Sequence, residues 1–303
     1  MSHESQTSRP TDARDHAPSE ALSAQVRRSV GGVLGLVGAF GPDDGFLPWW
    51  LPLVPGNRLR FNLGMKNCVD RAATLAKAGK YGIEEWSRSS RMSAHVVEAC
   101  GGTIEVIGLE NLAATEGPAV VAGNHMSALE TFLLPSLIMS VKGKAAFVIK
   151  DELLKEGRFA PVMNAVPNIA ITRTDAVGDL RKLRTEWPEL HKKGHTVCIF
   201  PGGTRTPHFN AGKKGDDGYS PIAARMAANL KAPLVPCAVQ TSMWSNEKRN
   251  GLYLVEPGPV RVAFGKALPV GTPDKDVHKA SVDFLSATLR SWGVEVRDED
   301  TSA

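Results

Sequence analysis

From about residue 103 the chain alternates short apolar runs with amphipathic segments, and this alternation constrains the fold more than any other feature. The apolar runs have the length of strands, and the segments between them have the spacing and length of helices. This order is typical of an α/β fold whose mostly parallel central sheet is covered by helices on both faces. We therefore predict one α/β domain over residues 99–295, with its ligands outside the carboxyl ends of the strands.

The segments that flank this domain differ from it in composition. Residues 1–21 are polar and mixed in charge, which predicts a disordered tail, and residues 296–303 are predicted to form an acidic tail. Residues 22–98 are predicted to form an N-terminal helical arm that contains Trp49 and Trp50 close to arginines. Paired tryptophans beside basic residues suit a membrane–water interface, but they also suit packing on the domain's own core. Both interpretations of the arm are open.

The composition excludes several classes of function. The net charge is only +4, from 36 basic and 32 acidic residues, with no long basic block, so no nucleic-acid partner is expected. The four cysteines lie far apart without a Cys-x-x-Cys pair, which argues against a disulfide framework and a structural zinc site, and Cys198 and Cys237 are predicted to be core thiols. No run reaches the roughly 20 apolar residues that span a bilayer. Since a secretory signal is also missing, we expect a peripheral or monotopic protein on the cytoplasmic face of the membrane.

The stretch VVAGNHMSALETFLLP places His125 at the end of a predicted strand, with Glu130 five residues later. A histidine that acts as a general base needs a partner that fixes its tautomer, and Glu130 is a candidate. Inside one regular helix the two side chains would point roughly 140° apart, so they meet only if His125 lies in the turn before the helix. Alternatively, Ser127 caps the helix, Glu130 completes a capping box as its third residue, and His125 has a structural role. Spacing alone leaves both interpretations open.

A second strand end, VCIFPGGTRT, runs into a glycine-rich turn that contains Gly202 and Gly203 and is followed by an arginine. Backbone N–H groups of such a turn can bind an anion, and an arginine can bind phosphate through two hydrogen bonds. Each basic residue alone is typical of a solvated surface, but several near strand ends indicate one anionic ligand site. The candidates are Lys150, Arg173, Arg205, Lys213 and Lys214.

Four segments, NHMSALE, NIAITRT, FPGGTRT and LVPCAV, resemble in this order the four blocks of the glycerolipid acyltransferase superfamily, whose members include the 1-acyl-glycerol-3-phosphate acyltransferases. KDELL is also similar to the family's Lys-x-Glu-Leu segment, and the resemblance covers roughly residues 100–270. It implies an enzyme that transfers a fatty acyl group from acyl-CoA or acyl-carrier protein to the hydroxyl of a lysophospholipid-type acceptor at a lipid surface. It implies no cofactor and no metal, and it leaves the oligomeric state open.

The resemblance also implies roles for single residues. His125 takes the place of the general base, and Glu130 that of the family's aspartate, which orients the imidazole and stabilises its charged form. Pro236 belongs to the block that is thought to line the acyl pocket. The residues implied in binding or shaping the phosphate site are Arg173, Arg205, Gly203, Thr204, Lys150, Lys213 and Lys214.

Two positions depart from the family pattern. Glu130 is one methylene longer than the aspartate, and Gly202 stands where the family usually has a glutamate associated with the acceptor site. The acceptor headgroup is therefore open. A second hypothesis is a catalytically inactive lipid- or acyl-CoA-binding protein of the same fold. A third, a phosphate-ester or nucleotide enzyme, lacks a Gly-x4-Gly-Lys-Ser/Thr loop.

Overall fold

A computed structural model describes residues 47–212 and 218–298 of the chain. The predicted tail over residues 1–21, the beginning of the arm, and both Lys213 and Lys214 lie outside the described residues.

The helices follow the predicted order along the chain, with short additions. They are α1 (Asn57–Lys77), α2 (Ile83–Ala99), α3 (Leu109–Ala113), α4 (Leu129–Lys142), α5 (Glu152–Lys155), α6 (Ala160–Ala165), α7 (Ala176–Lys192), α8 (Ile222–Leu230) and α9 (Asp274–Ser291). The strands are β1 (Thr103–Ile107), β2 (Val120–Gly123), β3 (Ala145–Lys150), β4 (Asn168–Ile171), β5 (Thr196–Ile199), β6 (Phe209–Asn210), β7 (Leu234–Gln240), β8 (Trp244–Arg249), β9 (Leu252–Val255), β10 (Pro259–Phe264) and β11 (Val296–Arg297).

A seven-stranded sheet forms the centre of the molecule, in the order β1-β10-β7-β2-β5-β3-β4. The five strands from β7 to β4 are parallel to one another, and β10 pairs antiparallel with β7 and parallel with β1. The carboxyl ends of β2, β3, β4, β5 and β7 therefore meet at one edge of the sheet. The predicted α/β class with a mostly parallel sheet is confirmed.

The central strands are buried on both faces, as parallel strands must be when helices cover both sides. All four residues of β2 are buried, and its apolar side chains alternate between two clusters. Val121 joins the cluster under α1, α2 and α4, and Val120 and Ala122 join the cluster under α7 and α8. Cys198 and Cys237 are free, buried thiols, and burial raises the pKa of both, so the prediction of core thiols is confirmed.

The described part of the arm packs on this same core. Leu51 is fully buried, and Phe61 and Met65 of α1 belong to the cluster under the sheet. Trp49 and Leu53 instead expose 82% and 72% of their surface. The buried part of the arm thus packs on the core, and the interpretation of its exposed part as a membrane interface stays a prediction. Within the described ranges, every helix is too short or too polar to cross a bilayer.

The remaining differences from the prediction are local. The segment DELLKEGRFAPVMNAV, residues 151–166, has the pattern of one helix but forms two short helices, α5 and α6. The helical pattern of the last helix begins at His278, whereas α9 begins at Asp274. Val296 and Arg297, at the start of the expected acidic tail, form β11, which pairs with β6.

The largest unpredicted element is an antiparallel hairpin of β8 and β9 outside the central sheet. The N terminus of α1 holds this hairpin. Arg58 donates to the backbone oxygens of Arg249, Leu252 and Tyr253, and Asn62 exchanges two 3.0 Å hydrogen bonds with the backbone of Tyr253. The hairpin also reaches the turn after β2, because the Asn246 side chain donates to Met126 O at 3.0 Å.

Candidate active site

His125 lies in the turn between β2, which ends at Gly123, and α4, which begins at Leu129. Its Nδ1 is 2.6 Å from Oε1 of Glu130. This contact is possible because the histidine precedes the helix and the glutamate projects back from its first turn. The structure thus brings together the two residues that the sequence proposed as a pair.

Glu130 also serves the start of the helix. Its Oε1 accepts hydrogen bonds from the backbone N–H groups of Met126 at 2.8 Å and Ser127 at 3.0 Å. Glu130 therefore contacts both His125 and the backbone at the start of the helix, and the catalytic role of His125 stays a prediction. The helix begins one residue later than predicted, with Ala128 as its N-cap residue and Glu130 as its second residue. The contact from the Ser127 N–H group to the Glu130 carboxylate is nevertheless the one that a capping box would make.

The second carboxylate oxygen is held by the hydroxyl group of Thr241. Thr241, directly after β7, donates to Oε2 at 2.6 Å, and Ser127 Oγ lies 3.2 Å from the same oxygen. Burial by itself raises the pKa of the Glu130 carboxyl. Hydrogen bonds from His125 and Thr241, together with the charge of the imidazole, outweigh burial and lower the pKa overall. The buried carboxylate is therefore ionised at neutral pH.

The imidazole is fixed on its other sides as well. Phe200, at the end of β5, stacks on it with ring centroids 4.5 Å apart and planes inclined by 12°. The backbone N–H group of Thr206 donates to His125 O at 2.9 Å, so the glycine-rich turn after β5 is tied to the histidine turn. Asn124 exchanges hydrogen bonds of 2.8 and 2.9 Å with the backbone of Val239 in β7. About 15% of the histidine side chain is exposed. With Nδ1 donating to a carboxylate, Nε2 is the nitrogen that can accept a proton.

Arg173 follows β4 and reaches across β3 to the same turn. Its Nη1 donates to Gly203 O at 2.8 Å and its Nη2 to Thr204 Oγ1 at 2.9 Å. Its backbone is left-handed, with φ of +66°, which is uncommon for a non-glycine residue. The buried Asp179 stabilises this conformation by accepting the backbone N–H groups of Thr172 at 2.7 Å and Arg173 at 2.6 Å.

Gly203 is required by this arrangement for two reasons. Its φ is +68°, a conformation that glycine adopts without steric cost. A Cβ at this position would also lie 2.8 Å from Nη2 and 3.0 Å from Cζ of Arg173, because the guanidinium lies directly on the glycine. The guanidinium retains N–H groups that these two hydrogen bonds do not use.

The other predicted residues lie further from this contact network. Arg205 is exposed on the glycine-rich turn, and within the described residues no hydrogen bond or ion pair holds its side chain. Lys150 lies at the same edge as the last residue of β3, but it forms an ion pair with Glu152 at 2.8 Å. Pro236 is buried inside β7, where its ring lies against Gly265.

Sequence reasoning missed four residues that organise the site: Asn124, Asp179, Phe200 and Thr241. All but Asp179 lie at the carboxyl end of a strand, the place where functional residues were expected, and Asp179 lies in the first turn of α7. The largely apolar run LVPCAVQT predicts a strand that ends at Thr241, so the position of this residue carried a signal although its residue type did not.

Comparison with known proteins identifies the class to which this arrangement belongs. A family model described as Acyltransferase matches residues 103–240, which contain the His125 turn, Arg173 and the glycine-rich turn. A solved structure of the 1-acyl-sn-glycerophosphate acyltransferase PlsC from Thermotoga maritima superposes with a TM-score of 0.55. It shares 19% identity and covers 78% of this chain and 98% of its own. This likeness supports the fold.

Relatives of known name are more similar in sequence. A 1-acyl-sn-glycerol-3-phosphate acyltransferase of Pseudomonas aeruginosa is 31% identical over 189 residues, which are 62% of this chain and 67% of the relative. The chloroplastic 1-acyl-sn-glycerol-3-phosphate acyltransferase LPAT1 of Arabidopsis thaliana is 34% identical over 198 residues. That match covers 64% of this chain and 49% of the relative, so the chain spans about half its length. The chain belongs to the glycerolipid acyltransferase family, and it is an acyltransferase.

Proposed function

We propose that this acyltransferase moves a fatty acyl group from acyl-CoA or acyl-carrier protein to the hydroxyl of a lysophospholipid-type acceptor, 1-acyl-glycerol-3-phosphate or a related molecule. The contact between His125 Nδ1 and the ionised Glu130 carries this proposal, because it leaves Nε2 as the proton acceptor. The names of the Pseudomonas and Arabidopsis relatives support the phosphate-bearing acceptor.

In the proposed reaction, Nε2 of His125 accepts the proton of the acceptor hydroxyl while its oxygen attacks the thioester carbonyl carbon. Glu130 stabilises the imidazolium that forms and prevents the ring from turning. When the tetrahedral intermediate collapses, the C–S bond breaks and the thiolate takes the proton from Nε2, so the base is regenerated. Since a thioester already carries a good leaving group, we propose that no metal or cofactor takes part.

The proposed phosphate site is the turn over Gly203 and Thr204 together with Arg173. The hydrogen bonds to Gly203 O and Thr204 Oγ1 orient the guanidinium before a ligand arrives, and its remaining N–H groups can bind phosphate oxygens. Arg205 is the second proposed ligand, because it is exposed on the same turn. Lys150 would contribute only if its exposed ion pair with Glu152 opened, which costs little at a surface.

We also propose that the enzyme works on a lipid surface as a peripheral protein, with acyl-CoA or acyl-carrier protein as its soluble partner. The exposed Trp49 and Leu53 support this, because both expose most of their apolar surface while the adjacent Leu51 is fully buried. A tryptophan with these surroundings is favoured at the level of lipid headgroups. Location on the cytoplasmic face stays a prediction.

The test is acyl transfer by the full chain with a panel of lysolipids and glycerol-3-phosphate, each with acyl-CoA and with acyl-carrier protein as donor, and with products detected by mass spectrometry. We expect His125→Ala to abolish product formation, and His191→Ala, which alters a histidine at the end of α7, to retain it. Undiminished turnover by His125→Ala would contradict the proposed base. Complete absence of product for the native chain with every pair would favour the inactive lipid-binding hypothesis.

The acceptor is tested separately at Gly202, where the family pattern has a glutamate. We expect Gly202→Glu to change the ranking of acceptors in the same panel while the native donor preference is kept. An unchanged ranking would show that this position does not select the acceptor.

A further inference from the structure

We propose that Thr241 is a positioning residue that adapts the site to a glutamate at position 130. Its hydroxyl group binds Oε2 of Glu130 and so keeps Oε1 in contact with His125. The inference deepens the proposed function and rests on it, since it assigns a role relative to the His125 base. Thr241 lies outside the segments that resemble the family blocks, and it is the residue that directly follows β7.

The two carboxylate oxygens of Glu130 accept hydrogen bonds from different side chains. Oε1 receives His125 Nδ1 at 2.6 Å, and Oε2 receives Thr241 Oγ1 at 2.6 Å. These two short hydrogen bonds come from opposite ends of the carboxylate, and with the backbone N–H groups of Met126 and Ser127 they fix its rotation about the last side-chain bond. Both Glu130 and Thr241 have no exposed surface, so no solvent competes for either oxygen.

Ser127 links the hydroxyl groups into a chain. The backbone N–H group of Leu129 donates to Ser127 Oγ at 3.0 Å, and Ser127 Oγ donates to Thr241 Oγ1 at 3.0 Å. The Thr241 oxygen accepts the serine proton, and the Thr241 proton points to Glu130, because the ionised carboxylate can only accept a hydrogen bond. Consecutive hydrogen bonds of this kind polarise one another and strengthen the last bond to the carboxylate.

The chain of hydroxyl groups suits the length of the glutamate. An aspartate in place of Glu130 would withdraw the carboxylate by about 1.5 Å, one carbon–carbon bond. It would then be too short to keep both a 2.6 Å contact with His125 and a 2.6 Å contact with Thr241. The position of Thr241 therefore requires the longer side chain of a glutamate at residue 130.

The experiment compares Thr241→Val, which keeps the shape and removes the hydroxyl, with Thr241→Ser, which keeps the hydroxyl. We expect Thr241→Val to lower kcat by about 10- to 100-fold, the effect of losing one hydrogen bond to a charged group, with KM for acceptor and donor unchanged. Thr241→Ser should stay within about threefold of the native kcat. Thr196→Val is the matched control, because Thr196 is equally buried but lies at the amino end of β5.

A second measurement does not depend on activity. The proton on His125 Nδ1, bound to a carboxylate at 2.6 Å, should give a downfield NMR resonance that His125→Ala removes. In Thr241→Val this resonance should move or broaden, and in Thr241→Ser and Thr196→Val it should stay in place.

The outcomes separate this inference from the proposed function. A native kcat in Thr241→Val with an unchanged resonance, while His125→Ala is inactive, would overturn the role of Thr241 and leave the base in place. Equal losses in Thr241→Val and Thr241→Ser, or a rise in KM alone, would overturn it as well. A fully active His125→Ala would overturn the base and, with it, this inference.

Discussion

Gly203→Ala is the change whose effect the structure defines most sharply. The new Cβ would lie 2.8, 3.0 and 3.1 Å from Nη2, Cζ and Nε of Arg173. Because non-bonded heavy atoms pack best at about 3.5–4.0 Å, the guanidinium must move away by roughly half an ångström or more. Its hydrogen bonds to Gly203 O and Thr204 Oγ1, now 2.8 and 2.9 Å, would then lengthen to roughly 3.3–3.4 Å or more and weaken.

Two free-energy costs follow from this change. An alanine with left-handed backbone costs about 1–2 kcal/mol of stability, which corresponds to a Tm lower by roughly 2–8 °C for a domain of this size. The displaced guanidinium is exposed, so we expect its two weakened hydrogen bonds to cost only about 1–2 kcal/mol in acceptor binding. This corresponds to a rise of about 5- to 30-fold in KM for a phosphate-bearing acceptor.

Gly79→Ala separates the two costs. Gly79 has φ of +67°, nearly the same as the +68° of Gly203, but a Cβ there would meet no atom within 4 Å. Both variants should lose a similar amount of Tm, and only Gly203→Ala should raise KM. The assay is steady-state acyl transfer over a range of acceptor concentrations, with Tm measured by calorimetry. Equal KM values in the two variants would refute the argument that Gly203 positions Arg173.

Three further outcomes are expected. Glu130→Asp should lower kcat by about tenfold in the transfer assay. The loss should be smaller in a Thr241→Val background, where the hydrogen bond from Thr241 to the acid is already missing. Strictly additive losses would contradict the coupling between Glu130 and Thr241. Asp179→Asn places a donor opposite the backbone N–H group of Arg173, so it should raise KM for the acceptor more than it lowers kcat. A change in kcat alone would argue against the role of Asp179 in positioning Arg173. Burial raises the pKa of the half-buried Glu98 to about 7, so its ionisation destabilises the fold as pH rises from about 4.3 through 7. The Tm of Glu98→Gln should therefore exceed the native Tm by more at pH 8 than at pH 5. An equal difference in Tm at both pH values would contradict this prediction.

The main features of the fold could be predicted because each strand of the sheet is a short apolar run followed by a helical segment. The hairpin of β8 and β9 was missed although Asn250 and Gly251 form an Asn-Gly pair, which is a strong hairpin signal. Both residues have positive φ, as such a turn requires. The flanking residues, many of them polar, gave no clear alternation.

The sequence predicted which strand ends form the site, but it proposed a specific side-chain contact only between His125 and Glu130. His125 and Glu130 are neighbours in sequence, so local turn geometry was enough to consider them a pair. Arg173 contacts the glycine-rich turn because only β3 separates β4 from β5 in the sheet. No local sequence pattern encodes this strand order. Thr241 and Asp179 act through hydrogen bonds to positions fixed by the fold, and a single threonine or aspartate carries no signal for such a role.

The strand order has a consequence for biosynthesis. β2, which precedes His125, is flanked by β5 and β7, so its neighbours on both sides are translated later. At ribosomal speed the interval from β2 to the end of β7 is on the order of ten seconds. β5 can pair with one edge of β2 before then, but the other edge of this apolar strand stays open until β7 is made. We therefore expect the nascent chain to be most exposed to edge-to-edge aggregation during that interval.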